Sequence, residues 1–228
     1  MKYRPNMRRA INRVICNDAG MWLIDFLAPW SCAFCGTPSD GIETGICAGC
    51  YADLPWSEPV VSSSLGIFEC SIAMLQYKFP VDAAIKAMKF KRKLFYVPAF
   101  AEILCASGPL LPDDIDAVLP VPLHWWRQMR RGFNQAAELA KPVASMLSVP
   151  ILRGVYRKYA TPFQTGFGAA ERAKNLRRAF SVRKPLDNIH VLIIDDVITT
   201  GATSGQLAKI LLAHGVSKVS MLAVARAD

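Results

Sequence analysis

The sequence has no apolar run approaching the roughly 18–20 residues that a membrane-spanning helix requires, so no such helix is expected. Carboxylates are scarce. Asp and Glu number 18 against 27 Lys and Arg, for a formal net charge of +9. That imbalance favours polyanionic partners: a pyrophosphorylated sugar, nucleic acid or an acidic membrane surface. Charge alone does not choose among them. No secretory leader is expected either. The first residues are basic, but the apolar stretch from Met21 to Pro29 is short, Asn17 and Asp18 interrupt it, and no small-residue cleavage site is evident. The expectation is a basic tail on a cytoplasmic protein. The seven cysteines are odd in number, which without an export signal fits metal-bound thiols better than disulfides. No helix-turn-helix pattern occurs in the short N-terminal region, which counts against a repressor of that type.

What is present, in 228 residues that are 52% hydrophobic, is room for one full domain and a small appendage. The most informative stretch runs from Val191 to Thr203, Val-Leu-Ile-Ile-Asp-Asp-Val-Ile-Thr-Thr-Gly-Ala-Thr. Its branched apolar start reads as a strand buried on both faces of a parallel sheet. Asp195 and Asp196 follow at the carboxyl end, where open α/β sheets bind ligands. Thr199, Thr200, Gly201, Ala202 and Thr203 then lead into a helical pattern, Ser204 to Ala213. Hydroxyls and a glycine at a helix N-terminus leave backbone N–H groups free for a phosphate. The carboxylates beside them suit sugar hydroxyls, so the implied ligand is a ribose 5-phosphate.

Near the other end, Cys32-Ala-Phe-Cys35 and Cys47-Ala-Gly-Cys50 are separated by eleven residues. Each pair can chelate one ion through a tight knuckle, and two pairs complete a tetrahedral four-thiolate zinc site. Four thiolates leave no open position, so this zinc is structural. Asp18 to Leu27 reads as a short amphipathic helix before it.

Between these landmarks, Ile67 to Tyr77 suits strands or a hairpin, and Val81 to Phe90 and Tyr96 to Ala106 suit helices. The cations Lys86, Lys89, Lys91, Arg92 and Lys93 form either a solvated face or a binding surface. Ala117 to Val121 is a short strand. After it, Arg127, Arg130 and Arg131 are expected at the strand's carboxyl end, suited to gripping pyrophosphate bidentately. Gly132 permits a sharp turn, and Asn134 is placed to cap a helix running to about Leu147, with Pro142 as an internal irregularity. His124 is an acid or base by type, though a lone His is more often structural. Thr161 to Phe180 is long and polar and reads as a lid. A final strand, Lys218 to Val224, follows a helix stop at Gly215.

The Val191–Thr203 segment resembles the PRPP signature of type I phosphoribosyltransferases. Together with the four-cysteine ribbon, Ile85-Lys86-Ala-Met-Lys89, Pro120-Val-Pro-Leu-His124, Arg131-Gly-Phe-Asn-Gln135, Gln164, Arg172-x-x-Asn175 and Ala179-Phe180, it makes residues 20 to 226 similar to the ComF/GntX family. The resemblance implies an α/β fold, with a mostly parallel Rossmann-like sheet flanked by helices, behind a small zinc ribbon. Its expected division is a basic tail (1–17), a helix with the ribbon (18–56), a linker (57–66) and the phosphoribosyltransferase-like domain (67–228). It also implies binding of PRPP with Mg²⁺, and handling of single-stranded DNA during uptake and natural transformation, with a competence helicase as partner. One departure is Trp125-Trp126, where the family usually has Pro and a basic residue. Indoles there could stack on bases, and packing is expected for at least one.

An active phosphoribosyltransferase is the alternative. In it Asp195 and Asp196 would position the ribose and Arg172 would close with the lid, completing the catalytic set. Thr199 to Thr203 would hold the 5-phosphate, and Arg127 or Arg131 the pyrophosphate. The metal ligands are Cys32, Cys35, Cys47 and Cys50. A PRPP sensor without catalysis is the third reading.

Overall fold

The computed structural model describes residues 31–38, 45–58, 66–158 and 179–227. The expected tail, the 18–27 helix, residues 59–65 of the linker and nearly all of the expected lid, including Gln164, Arg172 and Asn175, lie outside them.

Four parallel strands form the main sheet in the order β1-β6-β5-β2, where β1 is Ser71–Gln76, β2 Ala117–Pro120, β5 His190–Ile198 and β6 Lys218–Arg226. The central pair explains the apolar run in the sequence. Along β5, Leu192 and Ile194 enter one core while Val191 and Ile193 enter the other, all with 0% exposure. A strand covered on both faces needs no polar alternation. Helices α2 (Val81–Lys91), α3 (Tyr96–Cys105) and α5 (Gln135–Leu147) supply Ile85, Phe100 and Leu139 to the first core. Helix α6 (Ala202–Ala213) supplies Leu207, Ala208 and Leu211 to the second. The antiparallel pair β3 (Val155–Arg157) and β4 (Phe180–Val182) adds Val155 and Phe180 to that second core.

Asn134 caps α5 as expected, its side chain accepting from the Ala136 N–H at 3.1 Å. Gly132 ends the short helix α4 (Trp125–Arg131) at φ +83°, a left-handed turn that glycine adopts freely. Two expectations need correction. Ile67 to Tyr77 holds one strand and no hairpin, because β1 pairs parallel with β6. Its other edge is met by the preceding chain, where the Gln76 N–H donates to the Pro55 carbonyl at 2.7 Å and the Ser57 N–H to Met74 at 2.9 Å. The arginines after β2 stand on α4, not on the strand end. His124 starts that helix: its Nδ1 accepts from the Trp126 N–H at 3.3 Å, which leaves the proton on Nε2, facing the Lys158 carbonyl at 3.2 Å. His124 is a structural cap.

Cys32, Ile46 and Leu54 belong to the first core, together with Phe100. Phe34 meets Tyr96 and Phe100 edge-on at 5.7 and 6.0 Å. The cysteine-bearing segment, with α1 (Ala48–Ala52), therefore packs directly on α3.

Candidate functional site

Strand β5 outruns its neighbour. Its pairing with β2 ends at Ile194 opposite Pro120, while pairing with β6 continues through Asp195, Val197 and Ile198. The two acids are thus part of the strand, beyond the end of β2, at the carboxyl edge of the sheet. Asp195 Oδ1 accepts from the Asp196 N–H at 2.9 Å. Burial first, and then the neighbouring Asp196 charge, push the Asp195 carboxyl up to about 8.

Asp196 is answered from the opposite wall. Lys89 Nζ, on the last turn of α2, lies 2.8 Å from Asp196 Oδ2, with side-chain exposures of 20% and 4%. Arg131, half-buried at the end of α4, adds positive potential at Asp196, and its Nη1 donates to Gln135 Oε1 at 3.1 Å. Arg157 on β3 is buried further in, its guanidinium 5.4 Å from the Phe180 ring and within electrostatic reach of Arg127 and Asp195. One acid pair and cations from three elements converge on a single edge of the sheet.

Past Ile198, Thr199 and Thr200 are exposed. Gly201, at φ +67°, starts α6, and Thr200 Oγ1 accepts from the Ala202 N–H at 3.4 Å. Ala202 and Thr203 form the first helical turn, so Thr199 to Thr203 present the positive end of a twelve-residue helix. The helix begins two residues earlier than the sequence pattern suggested, because Gly201 absorbs the turn.

Of the sequence-assigned residues, Asp195, Asp196, Arg127, Arg131 and the Thr199–Thr203 loop occupy this end of the sheet. Arg172 lies outside the described residues. Lys89 and Arg157 were not assigned to the site. Lys89 was legible: Ile85, Met88 and Lys89 share one face by their i, i+3, i+4 spacing, and both apolar members are fully buried. A lysine on a buried face needs a partner. Arg157, on a three-residue strand, gave no such signal.

The four cysteines form a second cluster. Their sulfurs all lie within 4.8 Å of one another, and Cys35 and Cys47 are 3.8 Å apart. Tetrahedral zinc with Zn–S of about 2.3 Å holds its sulfurs about 3.8 Å apart. The Cys47 N–H points to Cys32 Sγ and the Cys50 N–H to Cys47 Sγ, each at 3.4 Å. Contacts with the Thr37 hydroxyl and backbone bring the Cys35 thiol down to about 6. At Cys32 burial pushes upward, but the N–H groups of Cys47, Cys35 and Phe34 together outweigh it. Donors favour the thiolate at Cys32 and Cys35, while burial and the neighbouring thiols push Cys50 the other way. Sulfurs so spaced fit a metal ion such as zinc, whose charge would favour the thiolate throughout.

Trp125 and Trp126 contradict the packing expectation, being 59% and 55% exposed. The reason is that α4 contributes no buried residue at all. It is held by its cap and by Arg92 Nη2, which donates to the Arg130 carbonyl at 3.1 Å, so its first residues need not enter the core.

A parallel sheet flanked by helices, with an acid pair at its carboxyl edge, a threonine-glycine loop opening the next helix and an attached four-cysteine cluster, makes this an α/β protein with a phosphoribosyltransferase-like fold. The chain is 31% identical over 204 residues to the DNA utilization protein YhgH of Salmonella typhi, covering 86% of this chain and 83% of that one. The chain belongs to the ComF/GntX family. It is also 36% identical over 163 residues to competence protein F of Haemophilus influenzae, covering 66% and 70% of the two chains. With the competence protein ComFC of Bacillus subtilis it shares 25% over 185 residues, covering 81% and 72%. No protein-family model matches the sequence. Solved structures similar to it include the glutamine phosphoribosylpyrophosphate amidotransferase of B. subtilis, at TM-score 0.38 and 19% identity over 54% of this chain and 25% of that one. Another is the adenine phosphoribosyltransferase of Leishmania tarentolae, at TM-score 0.40 and 12% identity over 61% and 74%. Among the described residues no helix is long and apolar enough to cross a membrane.

Proposed function

We infer that the protein binds PRPP at the edge formed by β5 and α6 and handles single-stranded DNA during its uptake, as a ComF-family protein. The observation that carries the first half is the placement of Asp195 and Asp196 directly before the N-terminus of α6, with Lys89 beside them. Asp195 and Asp196 accept hydrogen bonds from the ribose hydroxyls, and the N–H groups of Gly201 to Thr203 receive the 5-phosphate. Arg131 and Arg127 face the diphosphate, which Lys89 joins by exchanging Asp196 for a more highly charged partner. Mg²⁺ bound with the diphosphate would neutralise part of its charge. Zinc on Cys32, Cys35, Cys47 and Cys50 supports the fold beneath α3. The DNA half is supported by the +9 charge and by family membership.

Calorimetric titration of the zinc-loaded protein with PRPP and Mg²⁺, with and without a single-stranded oligonucleotide, tests both halves. Saturable PRPP binding that Asp195→Ala with Asp196→Ala abolishes, at unchanged zinc content, is the expected result. Wild-type protein that binds no PRPP would overturn the ribose phosphate site. An oligonucleotide that alters the PRPP titration would couple the two ligands. PRPP consumed when a free amine or base is supplied would make the protein an active transferase.

A further inference from the structure

The C-terminal end of α2 and the turn after it adjoin the C-terminal end of helix α4, where Arg131 lies over the Phe90 ring. Phe90 is 73% exposed, Phe95 52%, Trp125 59%, Trp126 55% and Met129 73%. Large apolar side chains gathered in water on adjoining elements mark a contact surface, unlike the single exposed ones found on any protein. The Arg92–Arg130 hydrogen bond ties the two elements together. Cations alternate with the rings: Arg130 lies 6.0 Å from the centre of Trp126, Arg131 5.5 Å from Phe90 and Lys93 5.7 Å from Phe95. Neither segment, 83–95 or 122–135, contains a carboxylate. The acids bonded to α2, Asp82 and Asp196, are each taken by a lysine of that helix.

We propose that this surface seats single-stranded nucleic acid, with bases stacking on Trp125, Trp126 and Phe90 while Lys91, Arg92, Lys93 and Arg130 neutralise the phosphates. The proposal rests on the DNA half of the reading above and gives it a place. Exposed ring faces serve a strand whose bases are unstacked, whereas a duplex hides its base faces. The alternation of cation and ring suits a polymer whose charges and flat apolar groups alternate along its length. A bilayer surface separates the two into layers instead. A second copy of this chain would bring two cation-rich faces together, at a cost in like-charge repulsion.

The test uses the full zinc-loaded chain and fluorescence anisotropy with a labelled oligothymidylate at several salt concentrations. Trp125→Ala with Trp126→Ala should weaken binding roughly tenfold or more and keep the salt slope, because the phosphate contacts remain. Trp126→Phe alone should retain affinity through its ring. Lys91→Ala with Lys93→Ala should weaken binding and flatten the slope by about 0.7 per charge removed. PRPP affinity should be unchanged in the tryptophan variants. Oligonucleotide binding equal to wild type in the tryptophan double variant overturns this surface and leaves the DNA reading standing. Wild-type protein that binds no oligonucleotide overturns that reading and this surface together. Two other results would also overturn the proposal, provided the oligonucleotide still binds: dissociation of a dimer by the tryptophan substitutions in sedimentation, or loss of binding to anionic vesicles. The first would assign the surface to a second copy, the second to a membrane.

Discussion

Lys89 Nζ on α2 and Asp196 Oδ2 on β5 form an ion pair of 2.8 Å, in which the carboxylate is almost wholly withdrawn from water. The pair joins the last turn of one helix to the carboxyl edge of the sheet. It also neutralises the buried member of the acid pair, Asp196, beside which Asp195 stands.

Lys89→Met should therefore destabilise the fold, because it leaves Asp196 buried without its cation and beside Asp195. Breaking a buried pair costs about 3–5 kcal/mol, and the partial exposure of Lys89 places it near the lower limit, about 3 kcal/mol. Urea denaturation measures this. Adding Asp196→Asn should recover most of the loss, and a double-mutant cycle gives the coupling. Additive losses would show that the pair carries no net energy.

The raised carboxyl of Asp195 predicts a pH dependence of defined sign. Its folded value is about 8 against an ordinary 3.8, so between these limits the folded state holds a proton that the unfolded state has released. Stability from this group is full below the unfolded value and is lost as pH rises through about 8. Asp195→Asn keeps the shape of the protonated acid, so thermal unfolding of the variant should fall less than wild type between pH 6 and pH 9. Parallel curves would remove Asp195 as the source.

Much of this was legible in the sequence, for identifiable physical reasons. Val191 to Ile194 declared a doubly covered strand because the requirement is local to the run. Gly132 and Asn134 declared a turn and a cap because each satisfies its own backbone. Tertiary placement was harder to read. Trp125 and Trp126 look like core by composition, yet the α4 that carries them stands off the sheet. The strand edge beyond β2 that sets the acids apart depends on how far β2 extends, which no spacing within β5 encodes. Lys89 lay between these cases, on a face whose burial was readable though its partner, distant in sequence, was not.

The cysteine cluster and α3 are predicted to loosen together. Chelating the metal or replacing Cys47 with Ser should raise amide exchange around Phe100 as well as around the cysteines, because Cys32 and Phe34 pack on that helix. Gly45→Ala separates docking from metal binding: a Cβ there would stand 2.8 Å from the Ala99 backbone nitrogen and 3.2 Å from Pro98 Cβ. This variant should retain zinc while losing about 1–3 kcal/mol through overpacking. Metal analysis and denaturation on the same sample check it, and loss of zinc in Gly45→Ala would place that glycine in the metal knuckle itself.

Gly201 tests the phosphate loop without touching a charge. Its φ of +67° is left-handed and it stands at the start of α6, so a Cβ there costs about 1 kcal/mol in backbone strain, less for Asn than for Ala. Relief of that strain would turn the first N–H groups of the helix away from a common focus, and an anion bound there would lose hydrogen bonds at the same moment. Stability should therefore fall modestly in the order Gly, Asn, Ala. PRPP affinity should fall in the same order and by more, since strain and misdirected donors add. Calorimetry with PRPP and Mg²⁺ on the three proteins gives the ranking. Affinities that stay level while stability falls would mean that the phosphate does not lie on the N-terminus of α6, and would direct attention to the cations of Arg127, Arg131 and Arg157 as its principal hold.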